Sequence, residues 1–328
     1  MAKQQEKFKT MIGGQALIEG IMMRGPEKDA VVVRTKEGLQ VDVKPRKVYK
    51  KGSIYRWPLI RGVVTFFDSQ VAGVKALMQS ADLSPEEQEE PSKFDKWLEK
   101  KLGSKAFQNL IVSIAVFMGL AMSIGLFMVL PMLAGEVLEI WIHNNLLKHL
   151  LEGVVRILIF VCYIALISRM KDMQRVFAYH GAEHKTIRCY EACLPLTVEN
   201  IREQTRLHPR CGTSFLLIVM ILSIFLFSIT TSLLELIPAW EQLAAQEGIY
   251  DNLLMIGVKL LLLPLLVAIS YEFNRIVGRH DNWLTRMLTA PGMWFQKFTT
   301  NEPDDSMIEV AITAVEAVLP EQEGADRW

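Results

Sequence analysis

Three of the chain's six histidines fall in one segment, within Tyr179-His180-Gly181-Ala182-Glu183-His184-Lys185 and Leu207-His208-Pro209-Arg210-Cys211-Gly212. With residues 171–193 continuing the apolar span before them as a helix, His180 and His184 stand one turn apart on the same face, so two imidazoles can converge on one metal ion. Gly181 is a poor helix former, but one glycine does not exclude that helix. His-x-x-Glu-His is also the spacing with which some zinc hydrolases supply two ligands and a general base. Here Glu183 would accept a proton from the water that the metal activates. Further ligands must come from elsewhere, and His208 and Cys211 offer a nitrogen and a sulfur suited to zinc. Arg210 can hold an anionic group of a substrate, and Glu191 and Glu272 are reserve carboxylates. Four protein ligands together would leave little room for water, so a catalytic site needs one of them to be displaceable.

Two other readings use the same residues. In one, the histidines are interfacial side chains satisfied by backbone or water, and Lys185, Arg188, Arg206 and Arg210 only set topology. In the other, Cys189, Cys193, His208 and Cys211 hold a closed structural zinc, since Cys-x-x-x-Cys on a helix places both thiolates on one face.

The elements that must position these groups are membrane helices. Leu110 to Gly135 is 26 residues without an ionisable side chain, more than the roughly 20 a helix needs to cross the hydrocarbon layer. Gly212 to Leu234 is equally clean, whereas Leu150 to Ser168 carries Arg156 and Leu253 to Tyr271 carries Lys259. Both cations come early in their spans, where they can snorkel outward or pair with Glu235. Snorkelling is the favoured of the two. Cations crowd three flanks: Lys93 to Lys105, Arg169 to Arg210, and Arg275 to Arg286; the segment from Glu235 to Asn252 has only acidic charges. By the bias of Lys and Arg toward the cytoplasmic side, the histidine segment and both termini face the cytoplasm. Disulfides are then not expected among Cys189, Cys193 and Cys211. The polar start of the chain lacks the apolar core of a cleaved signal. Thirty-six basic against 36 acidic residues, with 51% hydrophobic, argue against disorder and against a nucleic-acid partner.

Residues 1–57 read as a small β-rich unit, with Ala30 to Thr35 and Leu39 to Lys44 as strands joined through Glu37-Gly38. Gly13 to Gly20 starts another strand, its glycine pair fitting a tight turn better than a phosphate cradle. From 58 to 81 the pattern is helical, with Arg61, Asp68 and Lys75 in a narrow seam amid apolar residues. Such a helix lies at the membrane interface or packs in the core of the β-rich unit. An acidic and basic linker, 82–109, leads to a four-helix domain over 110–276 whose histidine-rich loop covers 169–211. Within 277–328, Trp283, Leu284, Met287, Leu288, Trp294 and Phe295 suit an interfacial segment. Ile308, Ala311, Val315 and Val318 then form the apolar face of a short helix that docks on the β-rich unit, followed by a disordered tail from Glu321.

The stretches Gly13 to Gly25, Tyr179 to Ile187, His208 to Phe215, Ser270-Tyr271-Glu272 and Thr299 to Asp305 together resemble the YqhQ-like family of poorly characterised bacterial inner-membrane proteins, described as predicted metal-dependent enzymes. The resemblance covers about Ile12 to Val318 and implies that Gln15, Glu19 and Arg24 share a purpose with the His180 and His208 motifs. Cys193 is not part of the family pattern, which weighs against the structural zinc. The expected molecule is an α-helical polytopic inner-membrane protein with four transmembrane helices, a small cytoplasmic β-rich unit and interfacial amphipathic helices. Its expected function is zinc-type hydrolysis at the cytoplasmic membrane face, on a lipid or membrane-protein substrate. The alternative is a non-enzymatic scaffold or assembly factor with a structural metal or none.

Overall fold

The computed structural model describes residues 8–50, 52–84, 101, 103–139, 142, 145–234, 237, 240, 249–280, 282–322 and 324–327. The acidic linker residues 86–91, Lys93, Lys96 and Lys100, and the acidic residues Glu235, Glu241 and Glu247 lie outside them. Two compact units form, one from Met1–Pro85, Ile164–Ser223 and Val258–Trp328, the other from Glu86–Tyr163 and Ile224–Gly257.

The first unit is built on an antiparallel meander of β1 (Gly13–Leu17), β2 (Gly20–Arg24), β3 (Lys28–Thr35) and β4 (Gly38–Pro45), in that spatial order. The unbroken run Ala30-Val31-Val32-Val33 is explained by burial on both faces of the sheet. Val31 and Val33 join Leu17, Met22 and Ala76 under helix α1 (Ile60–Leu83). Ala30 and Val32 join Ile21, Met23, Tyr179, Val310 and Val315 on the other side. There the cover is α5 (Lys171–Glu191) and α10 (Asp305–Val318), the latter started by the Asp304 side chain capping Met307 N–H. The Gly13-Gly14 pair lies inside β1 rather than in a turn. Helix α1 turns its small residues Gly73, Ala76 and Ser80 inward and leaves Phe67, Val71 and Val74 exposed, so it meets the sheet with one face and keeps an apolar face free of protein.

Among the described residues, four helices are long and apolar enough to cross a membrane: Leu110–Val137, Leu150–Ile167, Gly212–Leu234 and Leu253–Arg279. The first combines α2 (Ser104–Ile124), a π turn (Gly125–Val129) and α3 (Leu130–Glu139); the others belong to α4 (Asn145–Ile167), α7 (Gly212–Leu234) and α8 (Ile249–Arg279). Within the second unit Arg156 does not snorkel. It is buried, gives Nη2 to Glu152 at 3.1 Å and Nε to the carbonyl of Phe127 in the π turn at 2.9 Å, and lies over the Phe227 ring. Glu152 sits one turn earlier on the same helix face, where a pair held by protein costs less than a lone cation in lipid. Lys259 is buried as well.

Two further expectations are corrected. The histidine helix does not continue the second apolar helix, because the chain breaks at Ser168 to Met170 and Met170 is extended before α5 begins. The tail is not loose: Thr10 pairs with Arg327, Met11 N–H donates to the Asp326 carbonyl at 2.6 Å, and the Asp326 carboxylate accepts from the Thr10 hydroxyl at 2.5 Å.

Candidate metal centre

Helix α5 places His180, Glu183 and His184 on one face by their spacing, with Asp172 in its first turn and Arg188 in its last, each favourable to the helix dipole. The His180 and His184 rings stand 4.3 Å apart centre to centre, edge to face. Cys211 reaches them from the start of α7, and one ligand atom from each of the three lies within 4.8 Å of the others. Backbone carbonyls orient both imidazoles: Nδ1 of His180 donates to Thr299 at 2.8 Å and Nδ1 of His184 to Arg206 at 2.6 Å. In the neutral ring this leaves the lone pair of each Nε2 available within reach of Cys211, the arrangement that a hydrogen bond on the other ring nitrogen gives to metal-binding histidines.

The electrostatics favour charge on sulfur. Burial opposes a thiolate, yet His184 and His180 outweigh it and bring the Cys211 thiol well below the usual range. Burial likewise opposes an imidazolium at His180, but Cys211 at 3.2 Å and Glu183 raise it to about 9. Glu183 is held by one oxygen only: Oε1 accepts the Gly14 N–H at 2.9 Å, and Oε2 is buried with no hydrogen-bond partner. Burial raises its carboxyl above the ordinary range, against the pull of His180 and His184. A Cβ on Gly14 would stand 3.1 Å from the Glu183 carboxyl carbon and 2.7 Å from the Met22 carbonyl oxygen, so this glycine lets β1 approach the carboxylate.

His184 Nε2 is the second orphan, buried and without a partner. Two unsatisfied polar atoms beside one thiol are the pattern expected where a ligand completes the site. Two imidazole nitrogens and a sulfur suit a borderline-soft divalent ion such as zinc, so the residues present fit the group.

Gly181, the weak point of the helix reading, is where α5 is approached most closely. A Cβ there would run into the Asn301 carbonyl oxygen. The chain after α9 (Trp283–Thr299) lies along α5 at that point, with Asn301 N–H on the Phe177 carbonyl at 2.8 Å and Glu302 on Lys185 at 2.6 Å.

The other site candidates are placed differently. His208 is a ring away from His184, at 5.6 Å, but its Nε2 meets Glu191 at 3.2 Å. Burial first, then Arg210, hold His208 neutral well below the usual imidazole range. Arg210 gives Nη2 to both Glu191 oxygens at 2.5 Å, and Thr10 N–H completes that buried carboxylate at 2.9 Å. Gln296 of α9 accepts from His208 N–H and donates to its carbonyl, fixing this segment at both backbone groups of one residue. The Cys189-Cys193-His208-Cys211 site is not formed among the described residues: Cys189 faces the Pro195 carbonyl at 3.5 Å, and Cys193 is exposed. Glu272 is taken by Arg61 at the start of α1.

The amino-terminal motif contributes only Gly14 to the centre. Gln15 lies over Gly73 of α1, and Arg24 binds Ser69 at 2.6 Å and Asp29 at 3.2 Å. Glu19, at φ 52° in the β1–β2 turn, is clamped by Arg175 through two bonds of 2.6 Å and by the Tyr179 hydroxyl at 3.2 Å. The contributions of the Thr299 and Arg206 carbonyls carry no residue-type signal, because any residue can supply a carbonyl.

Fold and site define a protein with four membrane-length helices whose second and third are joined by a segment carrying a His/His/Cys group against a small sheet. The chain belongs to the family described as Protein of unknown function (DUF1385), which matches residues 57–321. It is 30% identical over 323 residues to the Uncharacterized protein YqhQ of Bacillus subtilis (strain 168), covering 96% of this chain and 94% of that one. No solved structure matches.

Proposed function

We propose that this chain is a metal-dependent hydrolase of the zinc type, acting at the cytoplasmic face of the bacterial inner membrane on a lipid or membrane-protein substrate. The supporting observation is the pair of orphaned atoms, His184 Nε2 and Glu183 Oε2, buried beside Cys211 and His180. His180, His184 and Cys211 would hold the ion, and such an ion supplies Lewis-acid activation of water or of a carbonyl or phosphoryl oxygen. Three protein ligands match the catalytic rather than the closed structural pattern. Glu183 is the proton acceptor: Gly14 fixes one oxygen, the other is free of protein, and burial brings its affinity for a proton closer to neutrality. His208 acts by position, its segment held by Glu191 and Gln296 so that the Arg206 carbonyl stays on His184. The orientation rests on cations flanking the histidine segment.

A structural metal in a non-enzymatic scaffold is the second reading. It is favoured by the way the ligand residues tie α5 to Arg206 and to Thr299, so that an ion would brace three segments. Elemental analysis of purified protein beside a His180→Ala/His184→Ala variant tests both readings, since both require the variant to lose metal. Glu183→Gln separates them. Hydrolysis of ester, amide and phosphoester probes should fall about 100-fold or more with metal retained; a scaffold shows no hydrolysis to lose.

A further inference from the structure

The two edges of the sheet differ. β1 is met by α5, where Gly14 N–H donates to Glu183. β4 pairs only with β3 among the described residues. Its register, from Lys28 opposite Pro45 to Thr35 opposite Gly38, contains no bulge. Two bonds fix which backbone groups face β3. Arg46 N–H donates to the Glu27 carbonyl at 2.7 Å, and Arg34 N–H points away from β4, to the Glu19 carbonyl at 2.8 Å. Even-numbered residues of β4 therefore bond to β3, and the N–H and C=O groups of Leu39, Val41 and Val43 point outward. The side chains of these three are 37, 44 and 44% exposed. They share the sheet face of Ala30 and Val32, so they extend the apolar cluster beyond the cover of α10.

Free edge strands are ordinarily blunted by a bulge, a proline or an unpaired charge. The centre of β4 has none of these. Its proline, Pro45, is the last residue, and Lys44 is spent on Asp42 at 2.6 Å, which also accepts from Gln79 of α1 at 2.9 Å on the opposite face. The strand is complementary to itself. With a two-fold axis at Val41, Leu39 stands opposite Val43 of a second copy and Val41 opposite Val41, and all their outward N–H and C=O groups are paired. On the other face Gln40 stands opposite Asp42, an amide donor against a carboxylate. Charge selects this register. Sliding by two residues one way sets Asp42 against Asp42, and the other way sets Val43 against Glu37.

We propose that β4 pairs antiparallel with β4 of a second copy of this chain, joining two sheets into one across a symmetric dimer. The test is native mass spectrometry of the full-length protein released from detergent. The unaltered chain should be a dimer. Val41→Lys, at an exposed position, sets two lysines against each other at the axis and should weaken self-association about 100-fold or more. A monomeric unaltered chain, or a dimer that persists in Val41→Lys, overturns the proposal. If that variant does not fold, hydrogen exchange of the unaltered protein decides. The Leu39, Val41 and Val43 amides should exchange as slowly as those of Gln40 and Asp42 in concentrated protein, and faster on dilution. Fast exchange at every concentration overturns the pairing. Protection that ignores dilution overturns it too, since another segment of the same chain would then cover β4.

Discussion

Cys189 and Cys193 are one helical turn apart in sequence and opposite in chemistry. Cys189 is buried against backbone carbonyls, and burial pushes its thiol up to about 11; Cys193 is exposed at φ 53° just past the end of α5. N-ethylmaleimide at neutral pH should therefore modify Cys193 in the folded protein and Cys189 only after unfolding, read by peptide mass spectrometry. A linked pH effect follows. The unfolded thiol ionises near 9.0, so between there and about 11 the folded chain keeps a proton that the unfolded chain has lost, and stability falls as pH rises. Thermal unfolding of Cys189→Ala should show a shallower decline across that window. Equal slopes would remove burial as the cause. That His180 and His184 share one face of a helix was legible from residue type and spacing alone. The commitment of His208 and Arg210 to Glu191 was not, because Glu191 lies at the far end of α5 and only folding brings it back to them.

At the scale of the element, the site depends on how closely other segments approach α5. Gly181 weakens the helix as sequence and is required by it as structure, since Asn301 occupies the space of a side chain. Gly181→Ala should destabilise the protein by about 1–3 kcal/mol. By moving the Thr299 carbonyl off His180 it should also weaken metal binding about 10- to 100-fold. Isothermal titration with zinc and a thermal melt on the same variant check both; unaltered metal affinity would detach the Thr299 contact from the site. Helices α1 and α10 were readable from their periodicity. The face that α1 turns to the sheet was not, because it is marked by Gly73, Ala76 and Ser80 rather than by its large apolar residues.

For the whole molecule, the cation distribution predicts that the His/His/Cys group and both termini share the cytoplasmic side. A membrane-impermeant maleimide should label Cys193 in inverted vesicles and not in intact cells stripped of their outer layers, and a cysteine placed at Ile237 should behave in the reverse way. Labelling of Cys193 from both sides would contradict the orientation. The sheet, α5 and α10 share one buried cluster, so truncation after Pro303 should unfold the sheet and abolish metal retention together. Circular dichroism and elemental analysis of the truncated protein test that linkage.

Properties set by local composition could be read from the amino-acid order: four apolar runs of membrane length, the strand run Ala30 to Val33, the apolar face of α10, and the one-turn spacing of two histidines. Each depends on neighbours within a few residues, where periodicity and side-chain type act directly. Tertiary structure alone decided which carbonyls aim those histidines and which carbonyl Arg156 turns inward to reach. Those outcomes turn on distances between segments far apart in the chain, where backbone groups common to every residue do the binding and leave no mark in the sequence.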